Sequence, residues 1–199
     1  MRVLVVGASG TIGRAIVAEL EQRHEVISAG RSSGELRTDI TDSAAIRTMF
    51  EAAGSVDALV SATGKVKFAP FEDMGAEDYE VGLRDKLMGQ VNLVLIGRDY
   101  LSDGGSLTLT SGVLDRDPIP KGTSASMVNG AINAFVAAAA IEMTRGQRIN
   151  VVSPGVIEEA MEVYAPFFRG FEPVPAARAA LAYAKSVEGA QTGRVYRVS

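Results

Sequence analysis

Short β-branched apolar runs alternate with longer segments of helical spacing along this chain. Arg2-Val-Leu-Val-Val6 is apolar, is bounded by Gly7, and predicts a strand buried on both faces. Over Thr11–Arg23, Ile12, Ala15, Ile16, Val17, Ala18 and Leu20 oppose Glu19, Glu21 and Gln22, the pattern of an amphipathic helix. Glu25–Ala29 reads as a second strand ending at Gly30, and Ala44–Ala53 as a helix capped by Asp42 or Ser43. Asp57–Ser61 is a further short strand. A long helix is expected over Tyr79–Leu101, a strand over Ser106–Thr110, an Ala-rich helix over Ser124–Thr144, and a strand over Arg148–Val152 closed by Pro154-Gly155. Pro175 opens a helix to Val187, and Arg194–Val198 forms a last strand. Strands separated by helices make βαβ units with right-handed crossovers. The expected fold class is therefore α/β: a doubly wound parallel sheet of six to seven strands with helices on both faces.

No repeat, low-complexity tract or Pro/Ser-rich linker divides the 199 residues, so one domain over 1–199 is expected. With 47% hydrophobic and 22% charged residues, the chain is not of disordered composition. The absence of Cys excludes a disulfide scaffold, a thiolate metal site, an iron–sulfur cluster and a Cys nucleophile, and no metal site is expected. A net charge of −4 argues against nucleic acid as a partner, which calls for a basic face. No basic leader precedes the first strand, and the apolar run Ala134–Ile141 is far shorter than the ~20 residues a bilayer requires. A soluble, cytoplasmic protein with no membrane partner is the expectation.

The sharpest local signal is Gly7-Ala-Ser9-Gly10-Thr11-Ile12-Gly13, between the first strand and the first helix. Gly7 permits a tight turn, Gly10 lets backbone approach a pyrophosphate, and Gly13 lets the helix sit close on the sheet. The helix N-terminus then presents free N–H groups and a positive dipole end to phosphates. This context points to dinucleotide binding. An NAD site places Asp or Glu at the end of the second strand, to accept from the ribose hydroxyls. Here Gly30-Arg31-Ser32-Ser33 stands there instead, and a guanidinium beside hydroxyls suits a 2′-phosphate, so NADP is preferred over NAD.

Taken together, these residues resemble the short-chain dehydrogenase/reductase family, over nearly the whole chain. Asp39-Ile40-Thr41 looks like the family's acidic-aliphatic pair at the adenine, and Ser61-Ala62-Thr63-Gly64 resembles its Asn-Asn-Ala-Gly stretch against the cofactor. Leu107-Thr-Leu-Thr-Ser111 is similar to the strand that delivers the catalytic Ser. Ile149-Asn-Val-Val-Ser-Pro154-Gly155, followed by Val156, looks like the segment whose Pro-Gly turn flanks the nicotinamide, and Gln191-Thr-Gly193 resembles the turn before the last strand. The resemblance implies a Rossmann-like fold, a nicotinamide cofactor and a small-molecule carbonyl or alcohol substrate. It also implies a homodimer or homotetramer built on the Ala-rich helix and the long helix before it. Complete burial of the Ala-rich helix within one subunit is the competing explanation.

The pattern departs from the family in five places. The glycines are spaced Gly-x-x-Gly-x-x-Gly, as in extended and atypical branches. The stretch between Gly155 and Pro175, which would hold a substrate lid, is short. Thr123 and Met127 stand where the family's Tyr-x-x-x-Lys pair belongs, and Lys86 replaces the Asn of the long helix. Glu159 falls where a Thr normally meets the nicotinamide carboxamide. A Thr hydroxyl is a far weaker acid than a phenol of pKa about 10. The expected catalytic residues are then Ser111, orienting a carbonyl, with Lys86 and Thr123, where a desolvated Lys86 ammonium polarises the carbonyl or protonates an alkoxide. Tyr164 reads chiefly as an aromatic packing residue beside Phe167 and Phe168, and otherwise as a replacement phenol. His24 lies away from the site. Lys65 and Lys67 edge the substrate opening or are solvated. The functional reading is an NADP(H)-dependent oxidoreductase with an altered proton-transfer centre. Against it stand a catalytically silent NADP-binding regulatory module and, more weakly, an oligomeric scaffold.

Overall fold

The computed structural model describes residues 1–199. Burial on both faces is what selects the first strand: in β1 (Arg2–Val6), Val3, Leu4, Val5 and Val6 are all lost to solvent. β2 (Glu25–Gly30), β3 (Leu36–Arg37), β4 (Val56–Ser61), β5 (Leu101–Thr110), β6 (Arg148–Pro154) and β7 (Val195–Val198) complete a seven-stranded, all-parallel sheet. Its order is β3-β2-β1-β4-β5-β6-β7.

Alternate side chains feed two separate cores. Leu4, Val6, Ile27, Leu59, Leu107, Leu109 and Ile149 point to one face, which is closed by α2 (Ser43–Ala53), α4 (Gly89–Gly97) and α5 (Thr123–Glu142). Val3, Val5, Ala58, Val60 and Val152 point to the other, closed by α1 (Thr11–Leu20) and α7 (Ala176–Glu188). α3 (Ala76–Gly82) leads into a π-helical turn, Leu83–Met88, that continues as α4, and the four-residue α6 is Met161–Tyr164. A smaller cluster of Val113, Leu114, Ile119, Val156 and Phe168 seats the segment after β6 over the C-terminal edge of the sheet.

The expected architecture is present, with shifted boundaries. α1 ends at Leu20, because 21–24 form a turn that leads straight into β2. The single helix expected over Tyr79–Leu101 starts earlier, at Ala76, is interrupted by the π-turn, and stops at Gly97. Residue 101 already belongs to β5, which pairs with β4 through a bulge between Val56 and Ala58. The two-residue edge strand β3 carries no readable periodicity. Asp42 is the N-cap of α2, its carboxylate accepting the Ala44 N–H at 2.8 Å, and Pro175 is the N-cap of α7. α5 is long and apolar enough to cross a bilayer by length and composition, yet its Val128, Ile132 and Val136 are fully buried in this protein, with Ile132 and Val136 in the core beneath the sheet.

Two polar devices fix the C-terminal end of β5, where the site begins. Thr110 Oγ1 donates to the Ser61 carbonyl at 2.6 Å and lies 2.7 Å from the Tyr183 hydroxyl of α7. From the opposite face the fully buried Gln90 amide mimics a neighbouring strand. Its Oε1 accepts the Thr110 N–H at 2.8 Å, and its Nε2 donates to the Thr110 carbonyl at 2.9 Å and to the Lys86 carbonyl at 3.0 Å. Replacing Gln90 by Ala orphans a buried N–H and a buried C=O, and is expected to lower unfolding stability by about 2–4 kcal/mol in urea titrations. A loss under about 1 kcal/mol would show that Gln90 does not hold this edge.

Candidate active site

The sheet order reverses between β1 and β4, so the loops leaving their C-terminal ends diverge and open a crevice at the switch point. That crevice is a cleft of about 510 Å³. The turn after β1 forms one wall through Gly7, Ser9, Gly10 and Ile12, and the end of β2 forms another through Gly30, Arg31, Ser32 and Ser33. Ala62, Thr63, Gly64 and Lys65 after β4, Thr110 and Ser111 after β5, and Pro154 of β6 supply the remainder, with Asp85 and Lys86 reaching in from the π-turn.

The glycine turn is held open by close backbone approach. Gly7 has φ +87°, its N–H donates to the Ala29 carbonyl at 2.8 Å, and a Cβ there would lie 2.5 Å from the Ala62 carbonyl oxygen. Gly13 does not line the cleft: a Cβ at this position would strike the Gly7 carbonyl, so its role is to let α1 dock. The Arg14 guanidinium ties down the Ser9 carbonyl at 2.6 Å. These are the features a pyrophosphate needs, and the residues present fit a dinucleotide.

At the β2 end, Arg31 lies at the mouth of the cleft with its Nη2 on Asp39 Oδ1 at 3.1 Å and Asp85 Oδ2 at 3.2 Å. The Asp39 carboxyl is held below the usual carboxylate range, first by the N–H and hydroxyl of Thr41 and then by Arg31. Ile40 and Thr38 line the cleft beside it, while Asp39 itself sits at the rim.

At the opposite end lies the floor. Lys86 Nζ donates to the Ser111 carbonyl at 3.2 Å and has no carboxylate partner. The residue keeps one side open to the cleft, yet its ammonium is surrounded by protein, and desolvation pushes its pKa down to about 8. Ser111 is 3% exposed and its Oγ has no hydrogen-bond partner, which leaves a buried hydroxyl beside the amine. Gly64 packs so closely on this lysine that a Cβ would sit 2.8 Å from Lys86 Cα. A second, apolar cleft of about 410 Å³ shares Ile12, Ala62 and Gly64 with the first. It adds Thr11, Gly155, Val156, Ile157, Phe68, Tyr164 and Phe168, and no charged side chain lines it.

The structure brings most of the expected site residues together and leaves some outside. Thr123 is not part of the floor: it is exposed at the start of α5, its Oγ1 2.9 Å from the Tyr79 hydroxyl, and it does not line the cleft. Met127 is likewise exposed. Glu159 turns away, its two carboxylate oxygens accepting the Ala176 N–H at 3.1 and 3.0 Å as a cap on α7. Tyr164 packs its ring against Phe68 and Phe168. His24 pairs with Glu188 at 3.0 Å, and Lys67 lies 3.9 Å from Asp78. Asp85 and Gln90 escaped sequence reasoning. The signal for Asp85 is an acid directly before a lysine at a point where the helix turns inward.

Such a crevice, with an amide-lined turn at the switch point of a parallel sheet, fits a dinucleotide. A model of the enoyl-(acyl carrier protein) reductase family matches residues 6–194, and the chain belongs to the short-chain dehydrogenase/reductase family. The chain is 53% identical to the protein lin1944 of Listeria innocua over all of both chains, with a TM-score of 0.99. A small-chain dehydrogenase in complex with NADPH is 26% identical over 100% of this chain and 96% of its own, with a TM-score of 0.89. Among curated relatives, an uncharacterised oxidoreductase of Methylorubrum extorquens is 29% identical over 78% of this chain. Versicolorin reductase 1 of Dothistroma septosporum is 27% identical over 85% of it. The chain spans 62% of the length of the first and 73% of the second.

The depressed lysine is directly measurable. In protein carrying 13C-methylated lysines, assigned by the loss of one signal in Lys86→Met, the Lys86 resonance is expected to titrate near pH 8, about two units below surface lysines. Titration together with the surface lysines would remove the desolvated amine from the site.

Proposed function

We propose that the protein is an NADPH-dependent oxidoreductase acting on a small carbonyl or alcohol substrate, with Lys86 doing the work of the missing phenol–lysine pair. The observation that carries this reading is the Lys86 ammonium without a carboxylate partner, beside the free Ser111 hydroxyl on the cleft floor. Bound in the cleft, a nicotinamide supplies or accepts the hydride.

The chain's own residues do the rest. N–H groups of the turn Gly7–Gly13, with Ser9, Gly10, Thr11 and Ile12, hold the pyrophosphate at the start of α1. Arg31 and Ser32 take the 2′-phosphate, which is the basis for NADPH over NADH, and the relative solved with NADPH agrees with it. Asp39 and Ile40 border the adenine. Ala62, Thr63 and Gly64 on one side, and Pro154, Gly155 and Val156 on the other, confine the nicotinamide end. Ser111 Oγ, with no partner of its own, donates to the substrate oxygen. Lys86 Nζ holds the proton that the developing alkoxide takes, and an acid of pKa near 8 exchanges protons readily at neutral pH. Thr123 has no place in this scheme, since it lies outside the cleft.

The outer surface supports assembly into a homo-oligomer. Leu95 on α4, and Met127 and Ile141 on α5, are exposed apolar residues, and Ile141 is 85% exposed. Pairing of these helices across a homodimer or homotetramer buries them. A second reading, a silent NADP-binding module, draws on the positions of Thr123 and Met127 away from the floor.

Arg31→Ala is expected to weaken NADPH about tenfold while leaving NADH within about twofold, read by fluorescence titration. With NADPH and a panel of aldehydes, ketones and quinones, Lys86→Met is expected to lower kcat by about 10²–10⁴. Turnover that survives this change overturns the lysine's role. NADPH binding with no turnover in the unaltered protein favours the silent module.

A further inference from the structure

The guanidinium that faces a 2′-phosphate is already engaged. Arg31 uses one nitrogen, Nη2, for both Asp39 and Asp85. The two acids differ in setting. Asp39 has a side chain 41% exposed, and its Oδ1 also receives the N–H and hydroxyl of Thr41, so it is stabilised whether or not Arg31 stays. Asp85 has a side chain only 12% exposed. Its Oδ1 accepts the Lys65 N–H at 2.8 Å, and Arg31 is the one partner of its Oδ2.

A phosphate arriving on Arg31 finds Nε and Nη1 open to it, but on a guanidinium whose charge is already offset by the carboxylates on Nη2. It also meets a carboxylate with little water to screen it. The ribose hydroxyls of NADH carry no charge and meet no such opposition. We infer that Asp85 is a specificity-determining residue: an internal carboxylate that competes with the 2′-phosphate for Arg31, and so limits how far this chain prefers NADPH to NADH. The inference rests on the NADPH reading above.

Asp85 also anchors Lys65, and through it the Gly64 turn that packs on Lys86. Removing the whole side chain mixes the two effects. Asp85→Asn separates them, because its amide oxygen still accepts from Lys65 while its charge is gone.

The test is titration of the full chain with NADPH and with NADH, by calorimetry or nicotinamide fluorescence. Asp85→Asn is expected to tighten NADPH about three- to tenfold and to leave NADH within about twofold. In an Arg31→Ala background the same change is expected to gain much less for NADPH, since the shared cation is absent. Unchanged or weaker NADPH binding by Asp85→Asn, with the unaltered chain binding NADPH, overturns the inference and leaves the NADPH reading standing. Equal shifts for both cofactors also overturn it, because they report the loop anchor and not the charge. If the unaltered chain binds no NADPH, that reading falls and the inference falls with it. A melting scan of each variant keeps the test decisive should the Asn variant be less stable: a gain for NADPH alone still supports the inference, and a parallel loss for both cofactors overturns it.

Discussion

Main chain meets main chain where β1 and β4 part, and everything at the cleft depends on that contact. The Gly7 turn rests on the end of β4 at Ala62, α1 rests on the turn through Gly13, and the next turn, at Gly64, rests on the helix that carries Lys86. None of the three contacts leaves room for a side chain. Close approach makes the crevice narrow enough for backbone amides to face a ligand. It also links the phosphate end of the cleft to the lysine end through three turns of chain.

The electrostatics of the floor differ from those of a phenol activated by a neighbouring cation. In the proposed scheme a single amine is both acid and cation. Burial supplies what a second charge supplies elsewhere, since desolvation disfavours the protonated form and brings its pKa toward neutrality. The cost of burying an ammonium is eased by the Ser111 carbonyl and by the open side of the cleft. At the other end the sign reverses, with two carboxylates gathered on one guanidinium. The cleft thus carries an isolated cation where chemistry is proposed and a neutralised one where recognition is proposed.

Much of this was legible in the residues. Period-2 and all-apolar runs placed six of the seven strands, because strands buried on both faces leave no room for polar positions. The glycine spacing marked the cleft, which Ser111 and Lys86 also line. What the pattern did not reveal was set by tertiary contact. The two-residue β3 exists only because β2 offers it an edge, and β5 begins at Leu101 because the bulge against β4 lets it start early. The motif resemblance put Thr123 in the phenol's position, but its side chain is exposed and Tyr79 occupies its hydroxyl. Gln90 reads as an ordinary polar position on a helix. Its importance arises from Thr110, twenty residues away.

The wide turn at Leu83–Met88 has a consequence for how such a centre can arise. A π-turn is the form in which a helix absorbs one extra residue without disturbing the stretches before and after it. Both flanking segments keep their seats, α3 leading in and α4 packed on the sheet, while the side chains within the turn are re-aimed. The turn carries an acid and an amine, Asp85 and Lys86, to the wall of the crevice, so that substitutions within these six residues alter its charge without rebuilding the scaffold.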